Sequence, residues 1–155
     1  MSILITADTT CIIQGITGRE AVSMTRECLD YGTRIVGGVT PGRGGRDVHG
    51  VPVYDTVEEV AKKTRVDASV ISVPPAFARD AAFEAIEAGV KLLVIVTENI
   101  PRFEVAQRVE LAELRGARII GPNCLGVLSP GEAKIGGLGG RAVDARTDIF
   151  ALGAI

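Results

Sequence analysis

Short apolar runs rich in Val, Ile and Leu alternate along the chain with longer stretches whose apolar positions recur at helical spacing. The runs at 10–13, 34–39, 67–73, 91–96 and 118–120 predict five main strands, with a short extended piece at 51–54. Helices are predicted from the turn at 14–19 through about Tyr31, over 76–88 and over 101–115. Gly32, Gly89 and Gly116 stand just past those helices, where a C-terminal cap is expected. Thr56 with Glu59 three residues later reads as a capping box for a helix through Lys63. Pro74 and Pro75 stop the third strand, and the Gly- and Pro-rich residues 40–50 read as a loop. Strand followed by helix at this spacing predicts parallel βαβ units.

Composition agrees with that pattern. Aromatics make up only 4% of the 155 residues and Trp is absent, so the core must be aliphatic. Aliphatic strands suit a parallel sheet buried on both faces. The expected fold class is therefore α/β, a Rossmann-like parallel sheet with helices on both faces, formed by residues 1–130. After about Pro130 the pattern weakens, and Gly136, Gly137, Gly139 and Gly140 suggest a linker. Residues 148–155 turn apolar like the start of a new strand, so 131–155 is expected to lead into a second domain.

Charge narrows the function classes. The net charge is −2 and there is no polybasic run, which disfavours nucleic acid as a partner. The apolar runs, such as Leu92 to Val96, are too short to span a bilayer, and the N-terminus lacks the features of a signal peptide. A cytoplasmic location is the default expectation. Cys11, Cys28 and Cys124 match no metal spacing and read as reduced, apolar thiols; His49 reads as a loop residue.

The candidate chemistry lies at strand ends. The first strand runs into Gln14-Gly15-Ile16-Thr17-Gly18-Arg19 and then a helix, an arrangement that offers free N–H groups and a partial positive charge to a phosphate. Gly15 and Gly18 permit close backbone approach, and Thr17 adds a hydroxyl. The loop lacks the Gly-Lys-Ser/Thr ending of a triphosphate loop, and it is not the full dinucleotide fingerprint. No acid ends the second strand, which disfavours NAD. Instead Pro41-Gly42-Arg43-Gly44-Gly45-Arg46 follows it, and Arg suits a phosphate. Two more strand ends converge on the same edge. Ser72-Val73-Pro74-Pro75 offers an apolar wall, and Val96-Thr97-Glu98-Asn99 offers hydrogen-bonding groups.

These stretches resemble the N-terminal CoA-binding domain of the succinyl-CoA synthetase (succinate–CoA ligase) α subunit. The resemblance rests on Gln14-Gly15-Ile16-Thr17-Gly18, Val36-Gly37-Gly38-Val39-Thr40-Pro41-Gly42-Arg43-Gly44-Gly45, Gly50-Val51-Pro52-Val53, Val96-Thr97-Glu98-Asn99-Ile100-Pro101 and Gly121-Pro122-Asn123-Cys124. With Met1-Ser2-Ile3-Leu4-Ile5, Tyr31-Gly32-Thr33 and Pro130-Gly131-Glu132 they span nearly the whole chain.

The resemblance implies coenzyme A as the ligand. It implies that Thr17, Gly18, Arg19 and Glu20 hold CoA phosphates, that Arg43 pairs with another, and that Val96, Thr97 and Glu98 line the site. With Gly15, Val73 and Pro74 these are the expected cofactor-binding residues. In such enzymes a second α domain carries a phosphorylated His, and a β subunit binds nucleotide and magnesium. Acyl phosphate forms and the CoA thiol attacks it. The chain departs from the family pattern at Glu20-Ala21-Val22-Ser23, at Arg43 in place of Lys, and at Leu125 in place of a frequent Pro, which leaves the acid open. No catalytic or metal-binding residue is expected here, nor turnover by this chain alone. The alternatives are a stand-alone CoA-binding regulatory module and an NADP-binding oxidoreductase domain.

Overall fold

The structure is a computed structural model that describes residues 3–138. Its main sheet contains β1 (Thr10–Gln14), β2 (Arg34–Val39), β3 (Asp47–Val48), β4 (Val51–Tyr54), β5 (Ala68–Ile71), β6 (Leu92–Ile95) and β7 (Arg118–Ile120). The order is β3-β4-β2-β1-β5-β6-β7, parallel throughout except for β3, which pairs antiparallel with β4. Parallel neighbours need crossovers. These contain α1 (Arg19–Tyr31), α2 (Val57–Ala61), α3 (Pro75–Glu87) and α4 (Arg102–Arg115).

Side chains alternate across the sheet, so each central strand feeds two cores. Cys11 and Ile13 of β1, Val70 of β5 and Val94 of β6 pack with Ala21, Met24 and Cys28 of α1. Ile12, Ile71, Leu93 and Ile95 point the other way and pack with α2, α3 and Ala112 of α4. Both faces are thus covered, as the aliphatic composition requires. All three cysteines are free and buried. Burial pushes the Cys28 thiol up to about 11, despite a hydrogen bond from its Sγ to the Gly136 carbonyl.

Element ends moved by one or two residues. The third main strand ends at Ile71, ahead of the prolines, and α2 stops at Ala61. The loop at 40–50 contains β3, which joins β4 through a tight turn at His49 and Gly50. His49 is a loop residue, with Nε2 donating to the Val22 carbonyl at 3.1 Å. The capping box is looser than predicted. Thr56 Oγ1 accepts from Glu59 N–H at 3.3 Å, whereas the Glu59 carboxylate reaches Asp55 N–H at 3.2 Å.

Two further strands have no counterpart in the sequence reading. β8 (Gly126–Ser129) and β9 (Ala133–Gly136) form an antiparallel hairpin that lies on α1. Ala133 and Ile135 join the α1 core, and Thr33 Oγ1 both donates to the Lys134 carbonyl and accepts from its N–H. Gly136 therefore ends a strand, and the apolar stretch at 148–155 lies outside the described residues.

Candidate cofactor site

β1 lies between β2 on one side and β5 on the other, so the strand order reverses there. Ligands of open α/β sheets bind outside the carboxyl ends of strands at such a point. Gly15 leaves β1 at that place with φ +83°. A Cβ on Gly15 would lie 2.3 Å from the Ser72 carbonyl oxygen, so only glycine lets the β1 and β5 exits close together. The next residue, Ile16, is fully buried and packs on Gly38 of β2, where an added Cβ would come within 2.4 Å of it. Hydrophobic burial of Ile16 therefore seats the loop from below. Thr17 N–H and Oγ1 both face Thr40 Oγ1, at 3.5 and 3.2 Å, tying the loop to the end of β2.

Gly18 caps α1 without any side-chain hydrogen bond. The first intrahelical bond runs from Val22 N–H to the Gly18 carbonyl at 2.9 Å, so the amides of Arg19, Glu20 and Ala21 have no partner among the described residues. Such a helix start carries roughly half a positive charge and binds anions.

Two clefts meet over this helix start. One, of about 710 Å³, collects Gly18, Arg19, Glu20, Val73, Pro74, Val96, Thr97 and Glu98 from the expected set. The other, of about 580 Å³, is lined by Gly15, Thr17, Gly18, Val73 and Pro74 and is the more apolar. Gly18, Ser72, Val73 and Pro74 line both, so the β5 exit forms a wall between two joined hollows. Ten of the eleven expected residues thus share one site. The other is Arg43, which lines neither cleft. It ends the turn Thr40-Pro41-Gly42-Arg43, closed by its N–H to the Thr40 carbonyl at 3.0 Å, next to Thr40 and Pro41 of the apolar cleft. Arg43 is exposed and pairs with no described residue. Arg46 lines a separate cleft with Tyr54, Asp55 and Lys63.

Thr97 also ties two strand exits together. It is 8% exposed, and its hydroxyl donates to the Val73 carbonyl at 2.7 Å, fixing the β6 exit to the wall. Asn123 N–H donates to the Thr97 carbonyl at 3.1 Å, so the Gly-Pro-Asn-Cys stretch braces the same rim. Sequence reasoning did not place Phe77 or Asp80 in the site, although both line the apolar cleft. The available signal was Phe77, one of four Phe in an aromatic-poor chain, just after the proline stop and 61% exposed. No group of three or more His, Cys, Asp and Glu side chains able to hold a metal occurs among the described residues. No described helix is long and apolar enough to cross a membrane.

Residues 6–99, which carry the loop, the wall and the β6 exit, match the family model described as the CoA binding domain. The chain belongs to the CoA-binding domain family. It is 50% identical over 137 residues to succinate–CoA ligase (ADP-forming) subunit alpha 1 of Archaeoglobus fulgidus, covering 88% of this chain and 47% of that protein. Against the α subunit of the same enzyme from Methanothermobacter thermautotrophicus the identity is 51% over 134 residues, covering 86% and 45%. The chain therefore spans about half the length of the curated relatives it matches. Among solved structures, ATP citrate lyase from Methanothrix soehngenii in complex with citrate and coenzyme A superposes with a TM-score of 0.79 at 19% identity, covering 92% of this chain and 25% of that one. At that identity the likeness is one of fold, and it places this CoA-binding family domain in a Rossmann-like α/β class.

Proposed function

We propose that this chain binds coenzyme A bent across the wall of Ser72, Val73 and Pro74, and presents its thiol for thioester formation in an acid–CoA ligase of the succinyl-CoA synthetase type. The observation that carries this reading is the pair of joined clefts over an uncapped helix start. CoA has a matching layout: a flat base at one end, a diphosphate in the middle and a long neutral arm at the other. The apolar cleft, with Pro41 and Phe77, fits the base. The free amides of Arg19, Glu20 and Ala21 fit the diphosphate. Arg43 fits the ribose phosphate, with a charge-assisted hydrogen bond. The cleft running to Val96, Thr97 and Glu98 fits the arm.

In this reading the CoA thiol supplies the nucleophile. The chain's own contribution is orientation, which lowers the barrier by holding the reacting atoms in place. A phosphorylated His in another domain of the α subunit would deliver the phosphoryl group, and a β subunit would hold the nucleotide. The Archaeoglobus and Methanothermobacter relatives, both named as α subunits, support such a partner.

Titration calorimetry tests the reading. CoA should give saturable heat at millimolar concentration or below, and NADPH should not. Arg43→Ala should weaken CoA binding by about ten-fold or more while leaving the melting temperature nearly unchanged. No heat with CoA, or equal affinity for NADPH, would overturn it.

A further inference from the structure

The wall that α3 gives to the apolar cleft carries Phe77, Asp80, Ala81 and Glu84, spaced so that they share one face of the helix. Asp80 and Glu84 stand one turn apart, and like charges at that spacing weaken a helix. They also line the proposed site of a ligand that carries several negative charges of its own. A pair that is unfavourable on both counts calls for a use. We infer that Asp80 accepts a hydrogen bond from the exocyclic amine of adenine, so that the site reads the base of CoA as well as its phosphates. The inference rests on the CoA reading above.

Most acceptors on the walls of this cleft are already engaged. Glu84 Oε1 accepts from Val57 N–H at 2.7 Å and so holds the start of α2. Gln14 Nε2 donates to the Ala81 carbonyl at 2.9 Å, and its Oε1 accepts from Ser69 Oγ at 2.8 Å. Thr17 and Thr40 bond each other through their hydroxyls. Ser72 lines the cleft over the helix start as well, where a hydroxyl donor suits a phosphate. Asp80 is left. Among the described residues its ionic partner is the neighbouring Arg79, at 3.4 Å, and its side chain is 74% exposed. An ionised carboxylate only accepts hydrogen bonds. At its base end CoA offers the adenine amine and the ribose hydroxyl as donors. Phe77, three residues before Asp80 and 61% exposed, gives the base a flat aromatic partner. Asp80 stands beside that ring, where the edge of a stacked base brings its amine. The ribose lies toward Arg43, which takes its phosphate.

Etheno-CoA separates the amine from the rest of the ligand. A two-carbon bridge ties its exocyclic nitrogen to the ring, so both amine protons are gone and everything beyond the base is unchanged. Calorimetry on the 155-residue chain would compare it with CoA. CoA should bind at least about five-fold more tightly. Asp80→Ala should leave the melting temperature nearly unchanged, because the side chain is exposed, and should abolish that preference. Asp80→Asn keeps an acceptor and should retain part of it. A preference that survives Asp80→Ala would come from the bulk of the bridge, and the amine contact would be overturned. Equal binding of the two ligands to the unaltered chain would overturn it too. In both of those cases the CoA reading stands. If neither ligand binds, the CoA reading itself fails.

Discussion

Gly15 and Ser72 set the tolerance of the site at the scale of single residues. A methyl group at position 15 would meet a backbone carbonyl at 2.3 Å in a left-handed conformation, so neither partner can yield cheaply. Gly15→Ala should cost at least about 2 kcal/mol, read by chemical denaturation, and should remove ligand binding with it. Arg43 behaves in the opposite way, since it is exposed and supports nothing in the fold. This contrast explains which site residues were legible in the sequence. Gly15 and Gly18 were visible because the turn that carries them directly follows the first strand and opens a helix, the place where a phosphate binds. Phe77 and Asp80 were not, because their place depends on how far α3 leans over β1. A part-buried contact between the two, Gln14 Nε2 to the Ala81 carbonyl at 2.9 Å, joins residues 67 apart in sequence, which no local pattern reports.

Among elements, the central strands were legible because burial on both faces writes a continuous apolar run. The hairpin of β8 and β9 was hidden, because its strands are short and Gly-bounded. Its stability comes from docking on α1 rather than from local preference. Thr33 is the dock. It is 5% exposed and exchanges two hydrogen bonds with the Lys134 backbone. Thr33→Val keeps the shape and loses both bonds. It should destabilise the chain by about 1–3 kcal/mol and speed amide exchange in residues 133–136 before it affects β1 or β5. Equal acceleration in all strands would show that the hairpin is not a separate unit.

For the whole molecule, the sheet separates acid stability from the ligand site. Asp67 precedes β5 at the end of the sheet away from the wall. Burial works against its charged form. The Arg65 guanidinium, with the N–H and hydroxyl of Thr10, outweighs that and holds the carboxyl below its usual value. A lowered pKa stabilises the fold above the ordinary carboxylate range, and that stability is lost as the pH falls below about 4. Asp67→Asn should flatten the acid side of the melting curve and leave CoA affinity unchanged at neutral pH, as thermal melts and calorimetry can check. The seat of Ile16 on Gly38 has a kinetic consequence. A loop wedged from beneath by a buried side chain is ordered before any ligand arrives, so association need not wait for it to fold. Encounter should then be limited by diffusion and docking orientation, and differences between related ligands should appear mainly in how long each one stays.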